Sequence, residues 1–541
     1  MKSRLSIVAI VAVLFFVSCS SSDDDNSNGS SNSIIDVNNS TTELSKRISL
    51  ENSGVVSINK ATAVGKKLSE SNDFPLVQIA EVNAPKDESG RQLQANHVAV
   101  NDKFAYVAYT SQGEVYSGAV DVIDVSDPYK PKIITSALIK NTDITSLTYA
   151  NGKLYLAGAT DVDKNPNLTS PSIVIVMQLN NGLLTENYTI VPLEGQVTTD
   201  IVANSNAFFS VTGDNGKVFK NTIGSNQLVA SVAQQDLRSV LLDQNELFVL
   251  SGTKGISVYK ESDASLLRSF TTTVDVPEAK RTMDIYEQKI IVAEGFSGVG
   301  VYNKTTGQKL QTLPIVSGIG GVFDPNDVVT NAVSVNDEKT FVANGAAGIS
   351  VYKIDDKLDW LGKMDIVGSS NYVKTKGDYI YVASGKGGLK IIKMEGKSKP
   401  IACAGYPTYT GNSNLILNSN EKASYSGSTA LASIIVNSKA TLIHCGALSV
   451  QNDLTLNSNG TFEMSGTLSQ GRYGQNTRLT INSNAEMKVS GAVVIYGDLV
   501  LNSNSNLTFV GSGSSITIYG KVTKGSNVKI TGNFTDTENK L

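Results

Sequence analysis

Between residues 74 and 396 the chain is a succession of short stretches in which apolar and polar residues alternate, broken by Gly, Asn and Asp. Period-two alternation rich in β-branched residues predicts strands, and the breaking residues predict tight turns. Six stretches share an aromatic or apolar pair followed by small residues, most then reaching glycine. They are Phe104-Ala-Tyr-Val-Ala, Leu154-Tyr-Leu-Ala-Gly, Leu247-Phe-Val-Leu-Ser-Gly, Ile290-Ile-Val-Ala-Glu-Gly, Thr340-Phe-Val-Ala-Asn-Gly and Ile380-Tyr-Val-Ala-Ser-Gly. A seventh, Phe208-Phe-Ser-Val-Thr-Gly, falls in phase. The anchors Tyr106, Tyr155, Phe209, Phe248, Ile291, Phe341 and Tyr381 are 49, 54, 39, 43, 50 and 40 residues apart. Each unit reads as four strands; in the sixth they are Ala332-Val-Ser-Val, Lys339-Thr-Phe-Val-Ala, Gly348-Ile-Ser-Val-Tyr and Leu358-Asp-Trp-Leu-Gly. Four strands in a repeat of this length predict a propeller blade, and seven units predict seven blades.

The seventh unit ends near Gly396 without a fourth strand, while Phe74-Pro-Leu-Val-Gln-Ile-Ala-Glu-Val precedes the first unit as a strand without a blade. Pairing the two would close the ring and remove an exposed edge.

The pattern changes at Pro400. Apolar alternation followed by Asn-Ser-Asn recurs, with Asn418, Asn437, Asn457, Asn482 and Asn502 separated by 19, 20, 25 and 20 residues. Short strands and tight corners at a period near 20 predict a parallel β-solenoid, with a β-sandwich as the alternative. Asn at a repeated corner can adopt left-handed backbone and can stack into a hydrogen-bonded ladder. The expected fold class is all-β, a seven-bladed β-propeller followed by a parallel, β-helix-like solenoid. The expected divisions are a signal peptide (1–18), a flexible tether (19–73), the propeller (74–399) and the solenoid (400–541). Residues 43–73, of mixed composition, could instead pack on the propeller.

The stretch Val120-Asp-Val-Ile-Asp-Val-Ser-Asp-Pro-Tyr-Lys-Pro, with partial matches at Gly255-Ile-Ser-Val-Tyr and Gly387-Gly-Leu-Lys-Ile-Ile, resembles the LVIVD-repeat family of bacterial surface propellers. The resemblance covers about residues 74–396. It implies a propeller and a surface location, and no reaction.

Lys2 and Arg4 precede an apolar run at 5–17 that is shorter than the ~20 residues needed to span a bilayer, which is the form of a secretory signal. Phe16-Val-Ser-Cys resembles the lipobox of bacterial lipoproteins, which implies acylation of Cys19. Ser20-Ser-Ser-Asp-Asp-Asp resembles the export signal of surface lipoproteins in Bacteroidetes-type bacteria, which implies the outer face of the outer membrane.

With 46 basic and 50 acidic side chains the net charge is -4, which removes the electrostatic footprint of a nucleic-acid binder. Three cysteines and two histidines leave little for a zinc cluster. His97 and His444 fall in different modules, and there is no HExxH, no CxxC and no phosphate loop. In Asp161-Val-Asp-Lys-Asn-Pro-Asn oxygen donors alternate, yet Pro166 and Ser172 stand where a calcium loop needs Gly and Glu, so a polar hairpin tip is expected. No catalytic residue, metal or cofactor is expected. Cys403 and Cys445 are a candidate disulfide, although strands two rungs apart are too distant to bridge unless a cap folds back. Two buried thiols are the other reading.

Ten positions before each anchor lies the expected top of the innermost strand: Asn96, Thr145, Thr199, Arg238, Arg281, Asn331 and Asn371, all polar. Arg238 and Arg281 come from neighbouring blades and could hold an anionic group at the channel mouth, with Asn96, Asn331 and Asn371 around them. Alternatively, Asp200, Asp236 or Asp284 pairs with the arginines. The long loops near Tyr109, Tyr116, Phe323 and Asp324 are expected on the same face. These features together predict a non-enzymatic surface lipoprotein anchored in the outer membrane. It would act as adhesin, scaffold or accessory subunit for a protein partner such as an outer-membrane β-barrel complex. Glycan binding is the alternative, and a propeller hydrolase or lyase comes third.

Overall fold

The computed structural model describes residues 33–56, 58–60, 69–70, 75–273, 279–316, 323–395 and 405–541. Among these, strands dominate, and residues 35–541 form one compact unit.

The seven predicted units are seven antiparallel blades. Blade 1 runs through Gln94–Val100, Phe104–Thr110, Ser117–Asp124 and Lys132–Lys140. Every anchor lies on the second strand of its blade and is at most 2% exposed. In a propeller the blades stack face to face, so the second strand is buried on both sides and its text must be apolar throughout. The core is accordingly a series of packed layers between blades, such as Phe248, Val258, Ile290 and Tyr302 between blades 4 and 5.

The seventh blade has three strands of its own, Tyr372–Lys376, Tyr379–Ala383 and Leu389–Met394. Its fourth is Leu76–Val82, antiparallel to Leu389–Met394 with Val82 opposite Leu389. The ring closes as the orphan strand predicts. Leu76, Val77 and Val82 are fully buried there, each worth ~1.5–3 kcal/mol as an upper bound.

The stretch read as tether is different from residue 35 onward. Ile35–Asn38 pairs with the outer strand of blade 1, with Ile35 opposite Ile139. Ile48–Ser49 and Gly54–Val56 both pair with the closing strand. Ile58–Lys60 extends blade 6 beside Met364, and Ser69–Glu70 pairs beyond it. These strands are two to four residues long, too short to show a period, and each is templated by an edge already present. They leave the outer edges of blades 1, 6 and 7 covered.

The C-terminal module is a parallel solenoid. One sheet stacks Asn414–Leu417, Ser433–Val436, Leu454–Leu456, Arg478–Ile481, Asp498–Leu501 and Val522–Lys524. The second stacks longer strands, Lys422–Leu431, Thr441–Val450, Thr461–Gln470 and Glu486–Ile495, then shorter ones. Leucine, isoleucine, valine and phenylalanine from both sheets fill one continuous core. The two asparagines of Asn-Ser-Asn divide the labour. The first stacks: Asn457 Nδ2 donates to Asn437 Oδ1 (2.9 Å), Asn482 to Asn457 (3.2 Å) and Asn502 to Asn482 (2.7 Å). The second turns the corner in left-handed backbone, at Asn420, Asn459, Asn484 and Asn504, with φ between 61° and 66°. Gly446, Gly466 and Gly491 bend the long strands at one shared height, and a Cβ at Gly466 would lie 2.2 Å from the Gly446 carbonyl oxygen.

The modules meet along a backbone seam. Gly54 bridges to Arg472, Val55 N donates to Gly471 O (2.9 Å) and Tyr473 N donates to Ser53 O (2.6 Å). Gly54–Val56 is thus flanked by the closing strand on one edge and by the solenoid on the other. Tyr496 of the solenoid, 2% exposed, belongs to the same core as Val55 and Val82. Cys445 is disulfide-bonded. Cys403, its expected partner, lies outside the described residues, as does Cys19.

Candidate functional site

The inner strands of blades 1, 2 and 4 each carry an extra residue at the top, a β-bulge, and those residues are Asn96, Thr145 and Arg238. A bulge re-aims its side chain, and here each reaches the next blade. Asn96 Nδ2 donates to Ile144 O (2.6 Å), Thr145 Oγ1 to Thr198 O, Thr199 Oγ1 to Leu237 O (3.0 Å) and Arg238 Nη1 to Ala279 O (2.9 Å). Asn371 Nδ2 donates to Ala95 O (3.2 Å), which returns the series to blade 1. Asn331 Oδ1 accepts instead, from Lys280 N at 3.4 Å. Of the seven positions singled out by phasing, Asn96, Thr145, Thr199 and Arg238 line the channel mouth together. Most of them form a belt of blade-to-blade hydrogen bonds.

The pairing of Arg238 with Arg281 at the mouth does not form. Arg238 lines the mouth and is ion-paired with Asp236 at 2.6 Å. Arg281 has left-handed backbone (φ 52°), which swings its side chain away from the channel. Its guanidinium is fully buried and donates to the carbonyls of Ala293, Gly252 and Thr273.

The residue beside it takes the channel. Lys280 Nζ reaches across to Thr145 O (2.6 Å) and Asn96 O (3.4 Å), and lies 5.2 Å from the centre of the Tyr372 ring. Tyr372 in turn packs on His97, with ring centroids 4.0 Å apart. Burial draws the Lys280 amine down to about 8, although Asp200 favours its charged form. Burial, with Lys280 and Lys374 adding repulsion, holds His97 well below the usual histidine range. Nothing in the local text marks Lys280, because only the conformation of Arg281 puts the preceding side chain in phase.

Below this layer the carboxylates are also occupied with the ring. Asp200 accepts from Ser146 Oγ (2.6 Å), Ile201 N (2.9 Å) and Val240 N (3.0 Å). Asp284 accepts from Ile285 N (2.9 Å) and Val335 N (2.8 Å). The channel holds a cavity of about 280 Å³ at the mouth and one of about 270 Å³ below, the second including His97, Tyr372 and Lys374. Such a channel can accept a small polar ligand, and its polar groups chiefly stitch neighbouring blades together.

Of the expected loop contacts, Tyr109 is fully buried, with the Arg47 guanidinium 5.9 Å from its ring centre. Phe323 lies beneath Lys363, 5.0 Å from the ammonium. Tyr116 is half-buried and Asp324 exposed. Asp161 accepts from Asp163 N (3.0 Å), and Asn165 Nδ2 donates to Thr160 Oγ1 (2.7 Å), so the candidate calcium string is folded onto its own turn.

The LVIVD repeat family matches residues 94–138 and 367–408, that is, blade 1 and the blade that closes onto it. No curated protein matches the chain. Among solved structures, the crystal structure of RRP9 WD40 repeats has a TM-score of 0.44 at 14% identity, covering 58% of this chain and 100% of that one. The crystal structure of the WD40 β-propeller domain of Doa1 has a TM-score of 0.43 at 11% identity, covering 60% and 97%. The computationally designed Ika8 protein has a TM-score of 0.38 at 15% identity, covering 63% and 97%.

Proposed function

We propose that the protein is a lipid-anchored scaffold on the bacterial cell surface, acylated at Cys19, that binds a protein partner and catalyses no reaction. The observation that supports the non-catalytic part of this reading is how the channel spends its two carboxylates. Asp200 and Asp284 each have both carboxylate oxygens committed to backbone amides or hydroxyls of their own and neighbouring blades. A general acid or base must be free to exchange a proton with substrate. What is left for recognition is shape: a closed ring bonded to a rod, with longer second-to-third-strand loops in blades 1 and 2. An outer-membrane β-barrel complex is the partner class that suits an anchored β-module. Pull-down of the full chain from detergent-solubilised outer membrane tests this. A stoichiometric barrel protein is the expected result, and recovery of the chain alone would overturn it. Protease added to intact cells should degrade the protein, and full protection would refute the surface location.

A further inference from the structure

The turn after the third strand of blade 1 lies against the flank of the solenoid, and a cavity of about 250 Å³ opens between them. Two kinds of surface line it. Tyr129 from the propeller and Tyr519 from the solenoid are aromatic. Tyr519 is held by Tyr496, which stacks on it with centroids 5.1 Å apart and 17° between the planes. The solenoid strands add hydroxyls, because in-register stacking repeats one side-chain direction in successive rungs. Thr467 lies opposite Ala492, and Ala492 opposite Ser515. The small Ala492 leaves room between the two hydroxyl-bearing rungs.

A buried ion pair completes the wall. Lys393 Nζ donates to Glu395 Oε2 (3.2 Å) and Tyr129 Oη (3.3 Å), and Ser469 Oγ donates to Glu395 Oε1 (3.1 Å). Ser515, Thr517 and Thr537 add further hydroxyl-bearing side chains to the lining.

We propose that this cleft binds one ring of a saccharide. A sugar has an apolar C–H face that packs on tyrosine and a rim of hydroxyls that donate and accept, which matches a wall of aromatic rings, hydroxyls and a carboxylate–ammonium pair. A wholly apolar ligand would bury the hydroxyls unpaired, and a bare anion would meet Glu395 and Asp127 as well as Lys130 and Lys393, a lining with no net positive charge to hold it. The volume is below the ~300–1,000 Å³ of sites for drug-sized ligands, which fits a chain end or a single ring. The site belongs to the seam between the modules, and it needs neither the protein partner nor the lipid anchor of the function proposed above.

Saturation-transfer NMR on the full chain, with glucose, galactose, mannose and N-acetylglucosamine as probes, tests the proposal. Transfer to at least one sugar is expected, with affinity about tenfold weaker in Ser515→Ala and in Tyr129→Ala, the loss of one hydrogen bond or one ring contact. Tyr116→Ala, at the opposite end of the blade 1 strands, should leave the affinity unchanged. The thermal midpoint of each variant shows whether it is folded, and Ser515→Ala, which removes a single oxygen, carries the test if Tyr129→Ala unfolds. No transfer to any of the four sugars, or transfer that survives both cleft substitutions undiminished, would overturn the proposal.

Discussion

The side-chain amide of Asn371 donates to the carbonyl of Ala95 at 3.2 Å, joining residues 276 apart in sequence. Together with the closing strand it fastens the last blade to the first. Replacing it with alanine removes a donor, while Ala95 O keeps the amide of Gly385. The expected cost is therefore that of a single hydrogen bond, ~0.5–1.5 kcal/mol. Trp360, the one tryptophan of the chain, lies in blade 6. Its fluorescence reports propeller unfolding, and in Asn371→Ala the midpoint should fall by about 2–4 °C. An unchanged midpoint would mean that the strand and the Ala95–Gly385 backbone bridge close the ring without the side chain.

The Asn ladder makes a sharper prediction, because each amide serves twice. Asn482 donates to Asn457 and accepts from Asn502. Asn482→Ala should therefore cost more than Asn371→Ala, ~1–3 kcal/mol, read from denaturant unfolding by circular dichroism. At the corner two residues later the requirement is conformational. Asn484→Val places a β-branched residue at φ 61° and should also destabilise, by ~1–2 kcal/mol, whereas Asn484→Gly should be nearly neutral.

Gly54 is where the seam tolerates no side chain. A Cβ there would lie 2.4 Å from Arg472 Cα and 2.5 Å from Gly471 O. Gly54→Val should part the two backbones while leaving each module folded. Hydrogen exchange read by mass spectrometry should accelerate at the amides of Val55 and Tyr473, which are bonded across the seam. Exchange at the Asn-ladder rungs should not change.

Buried His444 is expected to contribute to the acid sensitivity of the solenoid. It is 1% exposed, with Nε2 3.3 Å from Thr429 Oγ1, and burial lowers its pKa from 6.5 to about 4. Between those values the unfolded chain binds a proton that the folded one refuses, so stability rises with pH. The contribution is fully present above pH ~6.5 and is lost as pH falls through the window to ~4, on the order of 3 kcal/mol. His444 stacks directly on Met464 of the next rung. His444→Met should keep that stack and flatten the solenoid's unfolding profile between these pH values. A profile as steep as before would place the acid sensitivity elsewhere.

The parts of this fold that repeat are legible in the sequence, as is the unpaired strand at 74–82, whereas short stretches without a period are not. Seven anchors at 39 to 54 residue spacing announce seven blades, and the apolar stretch at 74–82 announces its own missing neighbour. The Asn-Ser-Asn corners reveal the rod, though not that one asparagine stacks while the other turns. Ile48–Ser49 and Gly54–Val56 carry no period and acquire strand form only from the edge they meet. At the mouth, counting back from the anchors finds the right level, and the bulges at Asn96, Thr145 and Arg238 decide where those side chains go. Lys280 was invisible because one left-handed residue, Arg281, shifts the phase of the strand by a position. The saccharide cleft joins residues from 127 to 537 and has no signature in any single stretch.

The ladder also has a direction. Every amide, from Asn502 to Asn482 to Asn457 to Asn437, hands its proton toward the start of the rod. An interior rung that opens must break its links on both sides at once, whereas a terminal rung breaks on one. Heat should therefore unravel the rod inward from its tips, and the stretch around Arg472, pinned to the ring, should be the last to let go.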